Sequence, residues 1–280
     1  DDGVAEERHR LVPERFAKVP AFLMVGLLLI ATASVAIGIT GGGNAPSTTT
    51  SPGPAPALLR AADLGPGWHA STSPSSFVGA LIAPDSGKST KAQQAQSDQV
   101  AREYEWCMAK DQAHDRLFNP ANPKPRQEER SSVLVRGSVH GQLEAGNVYQ
   151  RYAKASEVAK DMAQIEDPRF GSCFGYAVGQ LIAEGFANAG TLGVTHSTKA
   201  FTVQPGLGVR GGGTEVVLGV PGKAGKVAVH LMVAVLGRGD REVTLYLYSA
   251  VAPIPVEVAN AAIASLSAQL SGQASGSRSA

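Results

Sequence analysis

KVAVHLMVAVLGRGDREVTLYLYSAV, residues 226–251, is the stretch on which the fold turns. Two runs rich in Val, Leu and Tyr, side chains that suit a pleated backbone, flank a Gly239-Asp240 pair. Gly and Asp are the residues that tight hairpin turns select, so the stretch reads as two antiparallel strands near 226–236 and 241–251. Arg238-Gly239-Asp240 also spells an adhesion tripeptide, and the turn accounts for it more simply.

Working outward, further strand-like runs lie near 195–204 and 213–220, and SSVLVRGSVH (131–140) and QLEAGNVYQRYA (142–153) alternate with period two. Helical spacing appears over 94–114, with Val100, Tyr104, Cys107 and Met108 on one face, and near 154–166, where Asp167-Pro168 ends it. CFGYAVGQLIAEGFANA (173–189) is apolar on most faces and is expected to be the central buried helix. The last helix, 255–270, spaces Val258, Ala262, Leu266 and Leu270 on one stripe. Ahead of these, PALLRAADLGPGW (56–68) reads as a helical turn ending at Gly65, with Trp68 as a lid on the core, and Pro120, Pro123 and Pro125 break the chain. The order predicts an α+β domain over 58–270 whose antiparallel sheet is covered by helices on one face. The tail, 271–280, is expected to be disordered.

Near the start, VPAFLMVGLLLIATASVAIGIT (19–40) carries no charge. As a helix it would span about 33 Å, against roughly 30 Å of bilayer hydrocarbon. The apolar core of a signal peptide is shorter, about 7–15 residues, so length favours a transmembrane helix that stays in place; Ser34-Val35-Ala36 nevertheless offers small residues at cleavage spacing. Arg8, Arg10, Arg15 and Lys18 precede the run and no Lys or Arg follows until Arg60, which places residues 1–18 in the cytosol and the remainder outside. No Cys follows the run to accept a lipid. Residues 41–57, GGGNAPSTTTSPGPAPA, bury too little apolar surface to offset chain entropy and read as a disordered linker. Retained or cleaved, the run exports everything after it.

That compartment bears on the thiols. Cys107 and Cys173 are the only two cysteines, and outside the cytosol a disulfide between them is the expectation, with two separate buried thiols as the alternative. A net charge of +1 gives no basic face for nucleic acid. GLGVRG (206–211) matches a dinucleotide fingerprint in form, but it leads into a strand, where the fingerprint needs a helix N-terminus. GSCFG (171–175) has the form of a nucleophile elbow with Cys173 at its tip; a helix precedes it, where the elbow needs a strand. His9, His69, His114, His140, His196 and His230 include no i, i+4 pair of the kind that holds zinc on a helix, and the adjacent Glu128 and Glu129 lie in a polar run and read as solvated surface. No catalytic residue, cofactor or metal ligand is expected.

The opening PALLRAADLGPGW after a Pro/Thr/Ser linker, then YAKASEVAKDMAQIEDPRFGSCFGYAV (152–178), then GRGDREVTLYLYSA (237–250) and an Ala-rich helix, resembles the extracytoplasmic sensor-like domains of actinobacteria. That group includes the external domain of PknH-type serine/threonine kinases and related cell-envelope proteins. The resemblance implies a disulfide-stapled α+β module with a cleft for an envelope-derived ligand and no catalytic residues; two cysteines allow one internal bridge. The chain is thus expected to be a single-pass membrane protein carrying an extracytoplasmic binding or sensing module, non-enzymatic, with an unknown envelope ligand or protein partner. An envelope hydrolase and a scaffold or assembly factor for a membrane partner are the alternatives. If the apolar run is retained, the mature chain will stay in the membrane pellet through an alkaline carbonate wash; release into the supernatant would mean cleavage.

Overall fold

The computed structural model describes residues 55–71, 76–82, 104, 106–108, 125–137, 142–188, 193–203, 208–222, 225–250 and 252–272. The expected transmembrane helix (19–40), the cytosolic segment, most of the linker and the tail beyond Gly272 lie outside them. Among the described residues no helix is long and apolar enough to cross a membrane.

The hairpin predicted at 226–251 is the centre of the molecule. Strands β1 (His69–Ala70), β2 (Gln127–Arg130), β3 (Leu134–Arg136), β4 (Leu143–Arg151), β5 (Thr195–Thr202), β6 (Arg210–Gly222), β7 (Gly225–Arg238) and β8 (Arg241–Ser249) form one antiparallel sheet. Its order is β1-β3-β4-β8-β7-β6-β5, with β2 paired to β4 beyond the end of β3. Arg238 faces Arg241 across a two-residue loop in which Gly239 takes φ +60°, a backbone region that Gly enters without strain. The Arg-Gly-Asp triplet is therefore a turn, and Asp240 binds the Arg151 guanidinium at 2.7 Å.

β2 was not expected, because QEER reads as polar surface. In the structure Glu128 pairs with Arg130 and accepts a hydrogen bond from Gln150 Nε2 at 2.9 Å, while Glu129 accepts one from Gln127. Cross-strand partners, invisible to a local reading, make this polar segment a strand.

The cover of the sheet also differs from expectation. α1 (Phe77–Ile82), α2 (Ala155–Ile165) and α3 (Phe170–Asn188) lie on one face, while α4 (Val256–Ser271) lies on the other, so helices cover both faces rather than one. β7 shows why. Leu231, Val233 and Val235 belong to the first core and Met232, Ala234 and Leu236 to the second, all buried, so neither face of the central strand tolerates water. The second face is sealed by the α4 stripe Val258, Ala262, Leu266 and Leu270 together with Leu59, Leu64 and Trp68. Trp68 acts as the expected lid and carries the Arg136 guanidinium over its ring at 5.4 Å. Ala57, placed in the linker from sequence, is buried. Asn147 on β4 clasps it: the Asn147 amide donates to Ala57 O at 2.9 Å and accepts from Leu59 N–H at 2.8 Å.

On the first face α3 packs over β5 and β6 instead of standing at the centre. Gly171, Gly175 and Gly179, one every four residues, form the contact stripe. A Cβ at Gly175 would lie 2.7 Å from Thr214 Oγ1 and 2.8 Å from Thr198 Cβ, and one at Gly179 would lie 2.4 Å from His196 Cδ2. The bare backbone lets the helix approach the strand closely. Cys173, in the first turn of α3, is joined to Cys107 with Cα atoms 5.6 Å apart, which secures the helical residues around 104–108 to α3. Closing 66 positions of chain contributes on the order of 4 kcal/mol in the chain-entropy account.

Gly175→Ala separates the two contributions of a helical glycine. Propensity alone would make alanine better by about 1 kcal/mol, whereas overpacking against Thr198 and Thr214 costs roughly 1–3 kcal/mol. We expect a net loss of stability in urea unfolding; a gain would show that the helix can move off the sheet at no cost.

Candidate ligand-binding cleft

α4 is narrower than the sheet it covers. Its buried stripe seals β7, β8 and β4, and its flank leaves a gap over β5 and β6. The gap is a cleft of about 640 Å³, within the range of small-molecule sites. Its floor is the strand surface: Lys199, Phe201, Thr202 and the adjoining Val203 on the β5 side, Glu215 from β6 and Met232 from β7. Its wall is Ile254, Val256, Ala259, Asn260, Ile263, Ala264 and Ser267.

Register explains the floor. Lys199 pairs with Glu215, and Glu215 with Met232, so the three side chains form one row on the same face. The next row on that face is Phe201, Gly213 and Ala234. A Cβ at Gly213 would sit 2.5 Å from Phe201 Cζ, so the glycine is what lets the ring lie flat across β6. Thus Gly213 and Gly211, on the same face of β6 as Glu215, keep the floor low, while Gly212 faces Ile165 on the other side. Glu215 Oε1 is also 3.0 Å from Nδ1 of the buried His230. The cleft therefore combines an apolar length with two charged side chains in register, Lys199 and Glu215, and the amide of Asn260.

The motifs singled out from sequence lie elsewhere. Gly208 is in a turn at φ +71° that leads into β6, so GLGVRG meets no helix. GSCFG is the first turn of α3, and Cys173 is in the disulfide. Of the histidines, His196 and His230 lie on opposite faces of the sheet, since their respective partners on β6, Leu218 and Val217, are consecutive. His196 packs edge-on against Tyr176, and burial lowers its affinity for a proton. His69 is exposed on β1; His9, His114 and His140 lie outside the described residues. Among the described residues no cluster of three or more His, Cys, Asp or Glu could hold a metal ion.

Two carboxylates were missed in sequence because each sits inside a strand pattern. Glu144 on β4 caps α1: its Oε2 accepts from Val78 N–H at 2.8 Å and from the Ser76 hydroxyl at 2.7 Å. Burial raises its pKa, and those hydrogen bonds oppose the rise. Glu242 on β8, 2% exposed, has no hydrogen-bond partner for Oε2. Burial and then the charge of Asp161 on α2 drive its pKa well above the ordinary carboxylate range. Both lie on the face opposite the cleft, Glu144 under α1 and Glu242 beneath α2.

No family model, no curated protein and no solved structure matches the chain.

A carboxyl whose folded pKa is raised makes the folded state bind protons more tightly than the unfolded one. Stability is then fully present at acid pH and declines as pH rises above the unfolded value of about 4.3, with a slope of up to about 1.4 kcal/mol per pH unit, until the folded group has itself ionised. Glu242→Gln should remove that decline, giving a smaller difference between acid and neutral urea midpoints than the parent chain; an unchanged profile would place the ionised carboxylate in the fold at no cost.

Proposed function

We propose that the chain is a membrane-anchored, extracytoplasmic binding module of the cell envelope that holds a small ligand in the cleft between α4 and β5–β7. The observation that carries the reading is the cleft itself, about 640 Å³ with eight of its thirteen lining residues apolar, in a domain otherwise sealed on both faces. The anchor rests on the uncharged run 19–40 and its cationic flank, and the outward orientation is supported by a disulfide, which persists in oxidising compartments. The likeness to the external domains of PknH-type kinases agrees with a module that binds and does not turn over. Both cysteines are consumed in the bridge, so neither is a free nucleophile.

One observation favours docking to a protein partner as a second reading: Trp106 is 78% and Tyr176 46% exposed, each within three positions of a bridged cysteine.

Native mass spectrometry of the full chain, isolated from membranes, tests the first reading. The wild type should carry a stoichiometric small-molecule adduct, and Ala259→Trp, which fills the cleft without entering the buried stripe of α4, should lose it. An adduct retained by the variant would remove the cleft from the function. An adduct released in cleaved form on standing would make the protein a hydrolase.

A further inference from the structure

We infer that the occupant of the cleft is an acyl chain of a membrane lipid. The inference rests on the reading of the chain as a tethered binding module and specifies what that module takes.

Shape is the first argument. The α4 wall runs from Val256 to Ser267, about 17 Å of helix, so the space is long, and it suits an extended chain better than a compact ring. Lining chemistry is the second. Phe201, Val203 and Met232 face Ile254, Ala259 and Ile263 across it, an apolar sleeve in which a polar ligand would lose hydrogen bonds to water without recovering them. The polar groups are few. Lys199 and Glu215 stand in register on the floor, a cationic donor beside an anionic acceptor, which suits a head group bearing both donors and acceptors over a bare anion.

The third argument is the rim. Val256 is 70% exposed and also lines the cleft. It follows Pro253-Ile254-Pro255, so an apolar lip opens directly onto an apolar interior. Such a lip gives a hydrocarbon chain continuous apolar contact from outside to inside. The fourth is supply. Between Thr40, where the apolar run ends, and Ala55, where the described domain begins, the chain has fourteen residues, 41–54, with a reach of roughly 50 Å at full extension. A cleft held that near a bilayer meets acyl chains at a concentration that no dissolved ligand matches.

Photolabelling tests the proposal. The full chain is reconstituted in vesicles of phosphatidylethanolamine and phosphatidylglycerol containing a trace of phospholipid with a diazirine at the acyl terminus, irradiated, digested and mapped. Adducts are expected on peptides carrying Phe201, Met232 and residues 254–263, as well as on 19–40. Ala259→Trp should reduce the cleft adducts at least tenfold, and Val256→Asp, at an exposed position that burdens no core, severalfold, with labelling of 19–40 unchanged in both. Cleft peptides left bare while 19–40 is labelled would overturn the acyl proposal and leave the anchor standing; cleft labelling that neither variant alters would overturn it equally. If the chain is recovered in solution with 19–40 unlabelled, the anchor reading fails, and a diazirine fatty acid offered in solution then decides the cleft: labelling there sustains the acyl proposal, and its absence ends it.

Discussion

The structure depends on a sheet that must be dry on both sides. β4 and β8 are buried along nearly their whole length and β7 from Val229 to Gly237, with apolar side chains pointing alternately up and down. At about 25 cal/mol per Å² of apolar surface, leaving either face in water would cost more than a domain of this size has in hand. Two covers are therefore required, and they come from distant parts of the chain. Each is fastened differently. On the first face the Cys107–Cys173 bridge and the glycine stripe of α3 hold the layer down; on the second, α4 and residues 57–68 share one apolar core, and the Asn147 amide ties the incoming segment to the middle of β4.

The cleft follows from an imbalance between those covers. Among the described residues α1, α2, α3 and the bridged helical residues Tyr104 and Met108 serve the first face and α4 the second, while β6 and β7, thirteen and fourteen residues long, extend the sheet beyond what α4 can shade. β5 and β6 have α3 on one side and only the flank of α4 on the other. Over Thr195–Lys199 of β5 exposed and half-buried positions alternate, as expected of an edge strand with one protected face. The glycines of β6 then lower the floor where a row of larger side chains would have filled the gap. The cleft thus arises because a narrow helix covers a wide sheet, with no special motif.

Much of the architecture was legible in short-range pattern. The hairpin at Gly239-Asp240, the strand runs after residue 195, the helix at 155–165 with its stop at Asp167-Pro168, and the turn ending at Gly65 all have local causes. The pairing of two lone cysteines followed from counting. What local pattern concealed was longer-range. VAVHLMVAVL, apolar at nine of its ten positions, already signalled burial on two faces, since a strand with one wet face alternates; the one-sided sheet was a misreading of legible evidence. β2 was not legible, because Glu128 becomes a strand residue only through Gln150, twenty-two positions away. The cleft was equally hidden, assembled from Lys199, Glu215, Met232 and α4 by registers that no spacing rule encodes. A faint signal did exist in Glu215, Glu242 and Glu144, each the single acidic residue of its strand, where a buried ionisable group needs a partner or a task.

The same clasp that closes the second face connects the two ends of the proposed device. Leu58 N–H donates to Gln269 Oε1 on α4 at 3.0 Å, one residue after Ala57 is fixed by Asn147. Gln269 in turn donates to Ser265 at 3.2 Å, one helical turn earlier and two residues from Ser267 in the cleft wall. The chain entering the domain is therefore fixed to both sides of the second core at once, Ala57 and Leu59 to β4 through Asn147 and Leu58 to α4 through Gln269. A displacement of α4 away from the sheet would stretch the Leu58–Gln269 bond while Asn147 holds the neighbouring residues, so the incoming segment and the wall of the cleft are mechanically coupled.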